Sequence, residues 1–164
     1  MMEEPPLMSA SRQAVSQFNA PVISVEVLER WLKTSDENAD PLLIDTRTAE
    51  EFAVSHLPGA IHWDDTKSKV LPESIATAAS EGRTVVFYCS IGYRSGRAAD
   101  LAAEKLAALQ TSADSTMQPL LLYNLEGGIF QWVEGDRPIE GGSTVHPYDK
   151  FWGRLLNEKY RHPL

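Results

Sequence analysis

The sequence predicts an α/β fold in which a parallel sheet is covered by helices on both faces. Short apolar runs at 41–45, 60–63, 84–88 and 120–123 alternate along the chain with segments of helical character. The runs at 41–45 and 84–88 are continuously apolar rather than alternating, the pattern of strands buried on both faces. The chain has 164 residues, 43% of them apolar. One domain of this size buries about two thirds of the surface its unfolded form exposes and needs no disulfide or structural metal to do so.

Taken in order, residues 1–21 are polar, with Pro5-Pro6 and scattered serines, and are expected as a flexible arm. The domain is expected over 22–140. Ser24 is placed to cap a helix running to about Lys33, with Ile23 and Leu28 as a hydrophobic staple. Thr48-Ala49-Glu50-Glu51 is a capping box, so a short helix follows the 41–45 strand through about Val54. Residues 72–80 read as helix, 84–88 as the strongest strand, 95–109 as a helix with Ala98, Leu101, Ala102, Leu106 and Leu109 on one face, and 128–133 as a short helix. Phe130 and Trp132 of that last helix are expected in the core. After Gly141-Gly142, residues 141–164 form an aromatic and basic extension, expected to pack on the domain as a helix or strap.

Charge and cysteine usage exclude several classes. A formal charge of −8 argues against nucleic acid as a partner, because the field repels phosphate. The N-terminus is acidic where a leader is basic, and no stretch approaches the ~18 apolar residues of a membrane span. A cytoplasmic protein with no membrane partner is expected. The chain has 1 cysteine and 4 histidines without close ligand spacing, which removes a disulfide scaffold and a zinc module. No metal or cofactor is expected.

The chemistry concentrates in Cys89-Ser90-Ile91-Gly92-Tyr93-Arg94-Ser95. The thiol stands at the C-terminal end of a buried strand, just before a helix, which is the edge where open parallel sheets bind ligands. Gly92 permits positive φ, so the loop can curl round the sulfur with its amides turned inward as an anion nest. Amides, helix N-terminus and Arg94 together favour the thiolate. That combination outweighs the alternative reading of Cys89 as a small buried hydrophobe.

This loop resembles the active-site loop of rhodanese-type sulfurtransferases. Asp45-Thr46-Arg47 with Glu51-Phe52 and His56-Leu57-Pro58-Gly59-Ala60 resembles the family's upstream signature, and Leu125-Glu126-Gly127-Gly128-Ile129 with Trp132 the downstream one. The resemblance covers about residues 22–139. It implies a three-layer α/β/α domain with a five-stranded parallel sheet, and transfer of sulfane sulfur through a persulfide on Cys89. Thiosulfate, or another small anionic sulfur donor, would load the cysteine. Cyanide, a thiol or a protein cysteine would accept the sulfur, since the chain holds no second cysteine. Ser90, Ile91, Gly92, Tyr93 and Ser95 would line the substrate, with Arg94 as a mobile cation drawing in and orienting a dianionic donor. Asp45, Arg47, Glu51 and His56 would form structural support beneath the loop, and His62 a turn or core position. Ser55 stands where the family has glycine, at a position expected to be left-handed and strained by ~1 kcal/mol or else arranged differently.

Three other functions compete. Cysteine phosphatases and arsenate reductases typically place five residues between Cys and Arg; here 4 separate Cys89 from Arg94, a span better suited to one sulfur atom than to a tetrahedral oxyanion. A non-catalytic interaction module would lack the cysteine. A mercaptopyruvate sulfurtransferase would carry a different loop sequence.

Overall fold

A computed structural model describes residues 3–34, 40–109 and 120–164. Five parallel strands form one sheet in the order β1-β5-β4-β2-β3: β1 (Val22–Ile23), β2 (Leu42–Asp45), β3 (Ile61–His62), β4 (Val85–Tyr88) and β5 (Leu122–Leu125). Side chains alternate across the central strands. Val86, Tyr88 and Leu43 enter a core with α2 (Val25–Lys33), α6 (Gly128–Glu134) and the C-terminal segment, where Leu28, Phe130, Trp132, Val145 and Leu156 are buried. Val85, Phe87, Leu42 and Ile44 face α4 (Glu73–Ser80) and α5 (Tyr93–Leu109), through Ile75, Ala78, Ala98, Ala102 and Leu106.

Local signals set several boundaries. Ser24 caps α2 by accepting from Val27 N–H, and Thr48 with Glu51 closes the capping box of α3 (Ala49–Val54). The fifth strand is displaced from 120–123 to Leu122–Leu125, because Asn124 and Leu125 pair with Val22 and Ile23, an edge strand too short to read from pattern.

One expectation is overturned, and of the two alternatives for Ser55 the different arrangement is the one found. The arm at 1–21 is not a flexible lead-in: Pro6–Val15 forms a helix, α1, that buries Leu7, Ser11, Ala14 and Val15. Its serine and alanines gave the face too little apolar contrast to register as an amphipathic stripe. Ser55 has φ −171° and ψ 161°, ordinary extended backbone with no left-handed strain. The chain leaves α3 extended because His56 pairs with Glu140 through N–H···O bonds of 3.0 and 2.8 Å.

Connections from β2 and β4 leave in opposite directions, β2 to β3 and β4 to β5, so the C-terminal ends of β2 and β4 border the switch point of the sheet. In register there, Asp45 opposes Tyr88. The Asp45 carboxylate takes Arg47 Nε at 3.0 Å and Nη2 at 2.7 Å, and the Tyr88 hydroxyl at 2.8 Å. Arg47 Nη2 also donates to Ser55 O, and the Tyr88 hydroxyl accepts from Leu57 N–H at 3.0 Å. Burial, followed by the Asp45 charge, pushes the Tyr88 phenol well above its usual range, keeping it a donor. Tyr88→Phe strands the Leu57 amide and removes a donor from Asp45. It should cost about 1–3 kcal/mol in urea denaturation, with the m-value unchanged.

Candidate functional site

Cys89 follows β4 directly and is 1% exposed. The chain turns through Gly92 at φ +121° and enters α5, a 17-residue helix whose first-turn amides have no intrahelical acceptor. The Gly92 N–H donates to Cys89 Sγ at 3.1 Å. Ser95 Oγ donates to Asn124 Oδ1 at 2.6 Å and lies 3.4 Å from the sulfur, the longer of its two contacts.

The loop is oriented by the fate of its carbonyls. Cys89 O accepts from Ile129 N–H at 2.9 Å and Ser90 O from Phe130 N–H at 3.2 Å, both at the start of α6. Gly92 O accepts from Asn124 Nδ2 at 2.9 Å. A trans peptide points its N–H opposite its C=O, so carbonyls drawn toward α6 and β5 leave the amides for the sulfur. The approach of α6 requires Gly128: a Cβ there would stand 2.4 Å from Ser90 O and 2.5 Å from Cys89 O.

Arg94 is not the mobile cation expected at the mouth. Its Nη1 and Nη2 donate to Glu51 Oε1 and Oε2 at 2.7 and 2.9 Å, and Nη2 reaches Ser90 Oγ at 3.0 Å. Tyr148 stacks on the guanidinium at 4.9 Å. A bidentate carboxylate already neutralises the charge that a dianion would seek. Burial lowers the pKa of the guanidinium, but the Glu51 hydrogen bond and carboxylate charge outweigh it and hold the group above its ordinary range.

Asp45 and Arg47 pair with each other, Glu51 binds Thr48 and Arg94 instead, and His56 and His62 are spent on backbone. His56 donates to Phe52 O and stacks on Phe52, and His62 donates to Arg47 O at 2.6 Å. Ile91 and Tyr93 line a cavity of about 320 Å³ that opens at Cys89. Its other walls are Ala10, Gln13 and Ala14 of α1 and Tyr148 and Trp152 of the C-terminal segment, where α7 (Lys150–Gly153) is capped by Asp149. Among the described residues, no group of three or more His, Cys, Asp or Glu is arranged to hold a metal, and no helix is long and apolar enough to cross a membrane. Sequence reasoning missed Ser11, Asn124 and Tyr148. Asn124 carried a signal, a polar residue ending an apolar strand beside Gly127-Gly128; the other two carried none.

Burial raises the Glu51 pKa, but the Arg94 hydrogen bond and charge prevail and hold the carboxyl below its ordinary 4.5. A lowered folded-state pKa stabilises above the unfolded value and is lost as pH falls through the folded one. Glu51→Gln should therefore cost about 3 kcal/mol at neutral pH. Denaturation curves collected from about pH 7 to about pH 3 should show the gap between variant and wild type closing below 4.5.

The model of the rhodanese-like domain matches residues 28–135. Curated relatives named tRNA uridine(34) hydroxylase, from Bordetella pertussis and Cupriavidus necator, are each 32% identical, over 119 and 139 residues covering 70% and 79% of this chain. The chain spans 44% of each of those proteins. Among solved structures, the rhodanese-like domain of an Anabaena protein superposes with a TM-score of 0.55 at 17% identity, over 75% of this chain and 80% of its own. A thiosulfate sulfurtransferase from Pseudomonas aeruginosa superposes with a TM-score of 0.51 at 25% identity, over 79% of this chain and 21% of its own. With its sheet order, its cysteine loop and a family match over most of its length, the chain belongs to the rhodanese-like domain family.

Proposed function

We propose that the protein is a sulfurtransferase that carries sulfane sulfur as a persulfide on Cys89. The observation that carries this is the outward hold on the loop carbonyls, which turns the loop amides inward, with the Gly92 N–H on the sulfur of the one cysteine in the sequence. In the loading step the Cys89 thiolate attacks the outer sulfur of thiosulfate. A new S–S bond forms, the old one breaks, and sulfite leaves with its electron pair. The amides of the loop and of the first turn of α5 then hold the terminal sulfur anion. In the discharge step cyanide or a thiolate attacks that sulfur, and Cys89 regains its electron pair as thiolate.

Arg94 acts here as a fixed part of the loop. Its bonds to Glu51 and Ser90 set the shape of the cradle. The cavity exceeds what one sulfur oxyanion fills, which suits a donor or acceptor with an organic body as well as thiosulfate. The 4-residue span between Cys89 and Arg94 disfavours phosphate ester hydrolysis.

A second reading, action on tRNA, is favoured by the names of the curated relatives. The formal charge of −8 opposes it for this chain alone.

Intact mass after thiosulfate treatment should show one added sulfur that cyanide removes, and Cys89→Ser should neither gain it nor turn over. Persistent turnover in that variant overturns the persulfide. Aryl phosphate hydrolysis should be negligible beside sulfur transfer, and no tRNA shift should appear in low-salt gels; a shift at protein concentrations that load sulfur favours the second reading. Arg94→Ala should slow loading and discharge alike, by roughly 10- to 100-fold. Stopped-flow traces of the two half-reactions at two salt concentrations check this: a defect confined to loading and mimicked by salt would restore donor steering as the role of Arg94.

A further inference from the structure

The helix α1 lies outside the matched span of 28–135, yet it reaches the loop, and hydrogen-bonds it through a buried hydroxyl. Ser11 Oγ is 2.5 Å from Ile91 O and 2.7 Å from Gly127 N. A hydroxyl has one proton, and the Gly127 N–H can only donate, so the Ser11 proton is committed to the Ile91 carbonyl. That carbonyl shares its peptide plane with the Gly92 N–H, the donor to Cys89 Sγ. Fixing the oxygen aims the hydrogen, and a hydrogen bond on the carbonyl strengthens the N–H as a donor. The donors to the carbonyls of Cys89, Ser90 and Gly92 all come from within the matched span; the donor to Ile91 comes from α1. Val15 of the same helix closes on Gly92, where a Cβ would stand 2.6 Å from its Cγ1.

We propose that Ser11 is a positioning residue for the Cys89 thiolate, acting through the Ile91–Gly92 peptide, so that α1 is a working part of the site. This rests on the reading of Cys89 as the sulfur carrier, but its test does not. Alkylation of Cys89 by iodoacetamide, followed against pH, reports the thiolate without any sulfur donor.

Ser11→Ala should move the alkylation profile to higher pH and lower the rate at neutral pH about 5-fold, the effect of weakening one hydrogen bond to an anion. Sulfur loading should slow with it. Arg12→Ala, which removes the ion pairs of α1 with Glu4 and Glu126, should leave the profile in place. A Ser11→Ala protein that melts earlier but keeps the wild-type profile overturns the proposal, because Ser11 is then packing alone. Should that variant not fold, the wild-type protein decides: the Gly92 amide proton should shift as Cys89 ionises, and an amide blind to that titration overturns the proposal. A shifted profile in Ser11→Ala, with no thiosulfate loading in wild type, would sink sulfur transfer and leave the role of Ser11 standing.

Discussion

A guanidinium removed from water needs an anion, and Arg47 finds one at the switch point of the sheet, its Nε and Nη2 bonded while Nη1 is buried without a partner among the described residues. Asp45 supplies the anion from the end of β2, and Ser55 O takes a further proton as the chain leaves α3. The Tyr88 hydroxyl joins the cluster from β4, so β2, β4 and the 55–57 turn are fixed to one another by a single buried charge. Relative to apolar packing such a pair adds little, but breaking it leaves a charge stranded, which is a strong constraint on geometry. The loop that follows Tyr88 inherits that constraint, since Cys89 is the next residue.

Above this base the loop is shaped from outside. The start of α6 and the amide of Asn124 take its carbonyls, and Gly128 lets α6 approach closely enough to do so. Glu51 belongs to both levels. It completes the capping box of α3 and clamps Arg94, joining the helix start beneath the site to the helix start that bears it. With Arg94 paired to Glu51, the hydrogen-bond donor that the backbone presents to Cys89 Sγ is the Gly92 N–H at 3.1 Å, held in place by the peptide rather than by a flexible side chain.

The segments flanking the matched domain contribute the walls. α1 and the turn at Tyr148 bring small apolar and aromatic surfaces to the cavity, and Tyr148 covers one face of Arg94. Tyr148 holds φ +72°, a conformation uncommon for a side chain of its size, and its N–H is anchored on His146 Nδ1 at 3.0 Å.

The sequence by itself determined the class of fold, the core strands, the capped starts of α2 and α3, and the thiol at a strand end. These follow from short-range physics: hydrophobic period, capping chemistry and the conformational freedom of Gly92. The tertiary structure decided what lies opposite what. Arg94 reads as a free cation until the fold brings Glu51, 43 residues away, onto its fork. Ser11 is an ordinary polar residue in a polar stretch until it meets Ile91, 80 residues on, and Gly127, 116 residues on. The fifth strand lies two residues later than its apolar run because its partner is a two-residue edge that no local pattern reveals. Pairings across such separations depend on where the sheet places distant segments, and a one-dimensional pattern carries no record of that placement.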